Sequence, residues 1–142
     1  MILVDANLLL YAYDAANPHH GASRRWFETE LSAGHPIAFA LVTLLAFVRI
    51  ASDARIFARP MTPAEACSLV EDWLGQPNTR LLQPGPRTWS LLARLCEEGQ
   101  AKGAMVMDAH LAALALDHGA TVATTDRDFM RFSGLKIVNP VS

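Results

Sequence analysis

The chain has 142 residues, 51% of them hydrophobic and 18% charged, with a formal net charge of −2. That length suits one domain with a proper core, and that composition excludes intrinsic disorder. The near-neutral balance gives no global attraction to a polyanion, so any nucleic-acid partner must be met by a local patch. Cys67 and Cys96 lie far apart without a second pair, and read as small buried hydrophobes in a reducing compartment rather than a disulfide or zinc site. The apolar N-terminus lacks a basic flank and is interrupted by Asp5, which argues against a signal peptide. No apolar run reaches the roughly 18 residues needed to cross a bilayer. The expectation is one soluble cytoplasmic domain spanning residues 1–142.

Met1 to Val4 is a short apolar run, the pattern of a strand covered on both faces. Asp5 and Asn7 follow, and Leu8 to Tyr13 continues as a helix, which puts Asp5 at a strand end and at the positive end of a helix dipole. His20 to Ala33 is amphipathic, with Trp26, Phe27 and Leu31 inward. Pro36 to Phe39 predicts a second strand. Leu41 to Ala51 is apolar nearly all round and predicts a buried helix. Thr62, Pro63 and Glu65 mark a capped helix start, with the helix running to about Leu74. Thr79 to Leu82 predicts a third strand and Thr88 to Glu98 another amphipathic helix. Asp108 opens a slim, alanine-rich helix that ends at Gly119. Thr121 to Thr124 predicts a fourth strand, Asp128 to Phe132 a helical turn, and Lys136 to Val138 an edge strand. Strands alternating with helices predict an α/β domain, with a mainly parallel central sheet flanked by helices on both faces.

In such a sheet the functional crevice lies beyond the carboxyl ends of the strands, where strand order reverses. Asp5 and Asp126 fall at such ends and face one crevice if the first and fourth strands are neighbours. Asp108 shares a helix face with Ala112 and Ala115, the face expected against the sheet. Singly, Asp5 and Asp108 read equally well as helix N-caps, and Asp126 with Asp128 as an Asx turn and cap. Together, three or four carboxylates in one partly buried place repel each other and make sense around a cation. All-oxygen ligands favour Mg²⁺ or Mn²⁺ over zinc.

Ile2-Leu3-Val4-Asp5-Ala6-Asn7, Asp108-Ala109-His110-Leu111-Ala112-Ala113 and Thr124-Thr125-Asp126-Arg127-Asp128-Phe129 occur in one order, and the set resembles a PIN domain of the VapC toxin type. The resemblance covers essentially the whole chain. It implies a Rossmann-like fold and a metal-dependent endoribonuclease, commonly a homodimer, silenced by a cognate VapB-type antitoxin. It also implies that Asp5, Asp108 and Asp126 bind the metal, that Asp128 is an additional acid, and that Asn7 and Thr124 support them. One departure stands out. Ala46 occupies the place in the third helix where the family usually has a glutamate. That leaves a second reading open, a PIN-like module that binds antitoxin or RNA with little or no cleavage. Thr43, one turn earlier, reads either as holding a water near the site or as bonding its own helix backbone. Arg49 reads either as a partner for a site carboxylate or phosphate, or as a stem buried along the helix with its head in solvent. Arg55, Arg59, Arg127 and Arg131 are candidates for a phosphate-binding rim. An aspartate-nucleophile phosphatase would need a second acid where this chain has Asn7.

Overall fold

Ile2, Leu3 and Val4 form β1 (Ile2–Val4), and a computed structural model describing residues 1–142 places this strand at the centre of the sheet. The others are β2 (Ile37–Ala40), β3 (Thr79–Leu82), β4 (Thr121–Ala123) and β5 (Ile137–Val138). Their order across the sheet is β3-β2-β1-β4-β5 and every pairing is parallel. Parallel neighbours cannot be joined by hairpins, so helices carry the crossovers. These are α1 (Ala6–Tyr13), α2 (His20–Ser32), α3 (Leu41–Ala51), α4 (Pro63–Leu74), α5 (Thr88–Glu98) and α6 (Met105–His118). A 3-10 turn spans Arg127–Arg131. None of the helices is long and apolar enough to cross a membrane.

Because side chains alternate across a strand, β1, β2 and β4 each feed two cores. Leu3, Ala38 and Val122 point to one face, where Leu95 of α5 and Ala109, Ala112 and Ala113 of α6 cover them. Val4, Ile37, Phe39 and Ala123 point to the other, against Leu8, Phe27, Phe47 and Trp73 from α1, α2, α3 and α4. Trp73 is the hub of this second core. Its ring centroid lies 4.8 Å from that of Phe47, 5.2 Å from Phe27 and 5.9 Å from Phe39. The indole N–H is not stranded by burial, since Trp73 Nε1 donates to Tyr13 Oη at 3.0 Å.

The helix ends follow local chemistry. Thr62 Oγ1 accepts from the Glu65 backbone N–H at 3.1 Å, with Pro63 in the first turn. A full capping box, in which Glu65 would bond back to the Thr62 backbone N–H, is not formed, because the Glu65 carboxylate takes a bond from the Thr62 hydroxyl instead. Gly119 ends α6 at φ 67°, in the left-handed region that a side chain would strain.

Four expectations are corrected. Helix α6 begins at Met105, a turn before Asp108, so Asp108 lies within the first turn and is not the cap. Helix α3 is buried on one side only, leaving Leu41 and Leu45 57% and 59% exposed. Arg49 is also exposed on α3 and does not line the crevice. Cys67 is exposed and Cys96 half-buried, so neither is a core residue, and both thiols are free.

Two substitutions check this account by chemical denaturation. Trp73→Ala should cost about 3–5 kcal/mol by leaving a cavity among four rings, and Thr62→Ala about 1 kcal/mol by removing a cap. Equal losses at the two sites would contradict the assignment of Trp73 as the hub.

Candidate metal centre

The strand order reverses between β1 and β4, so the crevice beyond their carboxyl ends is the topological switch point. The register Val4↔Ala123 brings the next residues, Asp5 and Thr124, side by side. Asp5 caps α1, its Oδ1 accepting from the Ala6 N–H at 2.8 Å. Its Oδ2 accepts from the Thr124 hydroxyl at 2.7 Å, and Thr124 Oγ1 in turn accepts from the Asp126 N–H at 3.0 Å. Asp126 Oδ1 then accepts from the Asp128 N–H at 2.8 Å, capping the 3-10 turn. One chain of bonds thus runs from the end of β1 through the end of β4 to the last acid. The cap readings of Asp5 and Asp126 hold, and both residues still line the crevice.

Asp108, Asp126 and Asp128 each offer a carboxylate oxygen, and the three oxygens lie within 4.8 Å of one another. Asp5 stands outside that trio but beside it, committed to its two hydrogen bonds. The site residues expected from sequence are therefore brought together in two tiers. Asp128 belongs to the tight trio and Asp5 to its half-buried support. Asn7 lines the same crevice, whereas Arg49 does not. Among the rim arginines, Arg131 Nε lies 3.9 Å from Asp128 Oδ1, and Arg55 is engaged with Asp53 at 3.0 Å.

Two helices wall the crevice. Val42, Thr43, Ala46 and Ile50 come from one face of α3, and Met107, Asp108 and Leu111 from α6, enclosing about 350 Å³. Ala46 does face this space, which answers where a longer side chain there would point. Thr43 corrects one reading: it makes no bond to its own helix, and its buried hydroxyl lines the crevice. Sequence alone gave no signal for this, because position 43 carries the same residue type either way. A second hollow of about 40 Å³, between Leu10, Phe47 and Met61, lies apart from the acids.

The acids pay an electrostatic cost for this arrangement. Asp108 is pushed up to about 6, first by burial and then by the charges of Asp126, Asp5 and Asp128. Asp5 is also raised by burial, against the lowering effect of its bonds from Thr124 and Ala6. Converging all-oxygen ligands fit a hard divalent cation, and the absence of histidine or cysteine from the set favours Mg²⁺ or Mn²⁺ over zinc or copper.

The profile of the PIN domain family matches residues 2–135. The chain belongs to the PIN domain family. It is 42% identical over 140 residues to ribonuclease VapC37 of Mycobacterium tuberculosis, covering 99% of this chain and 97% of that one. Ribonuclease VapC31 of the same organism is 40% identical, with 99% of each chain covered. Among solved structures, VapC20 of M. tuberculosis, described as a sarcin-ricin loop cleaving toxin, superposes with a TM-score of 0.70 at 17% identity, covering 99% of this chain and all of that one. VapBC-1 from nontypeable Haemophilus influenzae gives 0.70 at 18% identity with both chains fully covered. At those identities the superpositions establish the shared PIN fold.

The raised carboxyls set a pH dependence for the metal-free PIN domain. Folded Asp108 holds its proton up to about 6, against 3.8 for an ordinary aspartate. The native state therefore binds more protons across that window, and stability falls as pH rises through it. In EDTA the melting temperature should be higher at pH 5 than at pH 7, and Asp108→Asn should flatten this difference while raising the pH 7 value. A slope unchanged by Asp108→Asn would mean that other groups govern it.

Proposed function

We propose that this PIN domain is a divalent-metal-dependent endoribonuclease, acting as the toxin of a toxin–antitoxin pair. The observation that carries the reading is the convergence of Asp108, Asp126 and Asp128 at the switch point, with Asp5 held beside them. Relatives that match along their whole length and are named ribonucleases support it.

In this reading Asp108, Asp126 and Asp128 hold Mg²⁺ or Mn²⁺. Asp5 completes the negative site, since a carboxylate accepting two hydrogen bonds retains lone pairs for more. A cation bound there would supply positive charge to the phosphodiester and a water of lowered pKa. Thr124 positions rather than reacts: its hydroxyl holds Asp5 in one rotamer and receives the Asp126 N–H. Asn7 offers an amide donor and acceptor to the sugar–phosphate backbone from the crevice wall. Arg127 and Arg131, flanking the acids, draw the phosphates inward despite the chain's net charge.

A cognate VapB-type antitoxin is part of the same reading, because solved VapBC complexes share the fold. We take the exposed Leu41 and Leu45 of α3 as the face of a homodimer. The free cysteines suit the cytoplasm, and residues 1–142 act as one domain.

Purified antitoxin-free protein should cut single-stranded RNA in Mg²⁺ or Mn²⁺. EDTA and Asp108→Asn should each abolish the cleavage, and Thr124→Val should lower activity or metal affinity about 10–100-fold. RNA binding without metal-dependent cutting would instead favour the non-cleaving module that the absent glutamate suggests. Ala46→Glu places a fifth carboxylate in the crevice and should tighten Mn²⁺ binding measured by calorimetry. Weaker binding in that variant would show that position 46 cannot reach the ion.

A further inference from the structure

The crevice is only half an ion site. Oxygen ligands alone satisfy a hard cation, yet beside the carboxylates α3 and α6 present a facing pair of apolar walls. Val42, Ala46 and Ile50 stand on one and Met107 and Leu111 on the other. Ala46 leaves the gap open where a longer residue would fill it. The whole crevice, carboxylates included, encloses about 350 Å³, at the lower end of small-ligand pockets. One polar group is aimed into this apolar half. Thr43 is only 4% exposed, lines the space, and its hydroxyl has no partner in the protein. That hydroxyl opens onto the crevice instead of being sealed in the core, so it is free to meet a ligand that brings a hydrogen-bonding edge together with apolar faces.

We propose that this half of the crevice is a nucleobase subsite, which takes one unpaired base of the RNA next to the cleaved phosphodiester and reads its edge with Thr43. The inference rests on the ribonuclease reading for the identity of the polymer. A base splayed out of a single strand is the form in which RNA is read by sequence, through its faces and its edges. The aliphatic walls sandwich the ring, and Met107, 53% exposed at the rim, supplies a flexible thioether that can close over its face. The Thr43 hydroxyl can donate or accept, so it completes the recognition without dictating it alone. The carboxylates lie on the same crevice, so a base held here places the adjoining phosphate beside them. Ala46 is then a specificity residue. Its small side chain gives up a carboxylate and opens room for the base.

The test uses full-length protein, a pool of single-stranded RNAs of mixed sequence, and mapping of the cut ends in Mn²⁺. Wild type should favour one base beside the cut. Thr43→Val, which keeps shape and loses the hydroxyl, should weaken that preference by up to about tenfold. Ala46→Leu should fill the space and raise KM for RNA with a smaller effect on kcat, while Mn²⁺ affinity by calorimetry stays that of wild type. Thermal melting checks that both variants fold, and Ala46→Val gives a milder filling if leucine does not fold. Unchanged base preference and unchanged KM in these variants overturn the subsite. If wild type cuts no RNA in Mg²⁺ or Mn²⁺, the ribonuclease reading fails separately. Binding of short labelled homopolymers then decides the subsite: weaker binding by the filled variant upholds it and equal binding overturns it.

Discussion

The Thr124 hydroxyl donates to Asp5 Oδ2 across 2.7 Å and 119 positions of chain, joining the ends of the two central strands. The remaining site geometry is referred to this bond. Thr124 also receives the Asp126 N–H, which starts the 3-10 turn, and the turn delivers Asp128. The bond in turn depends on the β1–β4 register, because a slip of one residue would send Asp5 or Thr124 to the opposite face of the sheet. The small hydrogen-bonded relay is therefore sustained by two cores, one on each side.

Those cores hold together what electrostatics would drive apart. Four like charges at one crevice favour any motion that separates them, and a loosely packed scaffold would allow it. The alanines of α6 bring its backbone close to the sheet, which fixes Asp108 over the strand ends. The aromatic knot around Trp73 anchors α1, α2, α3 and α4 on the other face, and with them the wall that carries Thr43 and Ala46. Packing and charge thus oppose each other here, and Asp108 is raised first by its burial and then by its acidic neighbours.

Much of this was legible in the residues. Continuous apolar runs marked the strands, and the Thr62-Pro63 start and the Gly119 stop marked helix ends, because each is a local preference. The acids were legible as a set because each followed a strand end or lay on an apolar helix. The start of α6 was misread since Ala104 caps it with no side-chain bond, so Asp108 was the only visible signal. The exposure of Leu41 and Leu45 could not be read either, because an all-apolar helix gives no polar stripe to show which side faces solvent. The ranking of Asp5 against Asp128 also escaped sequence reasoning. It depends on which carboxylate oxygens come within a few ångströms of one another, and only coordinates reveal that.

The central place of β1 has a consequence for how the protein comes into being. The first strand made pairs on one side with β2 and on the other with β4, more than a hundred residues later. Until the ribosome has released β4 and the following turn, Asp5 lacks its partner and the crevice lacks two of its acids. Such distant pairing is slow to form, since the loop it closes must be ordered first. A nascent chain of this kind has no complete crevice for most of its synthesis. The acids therefore meet only after nearly the whole chain has been made, when closure of the sheet joins its first strand to its fourth.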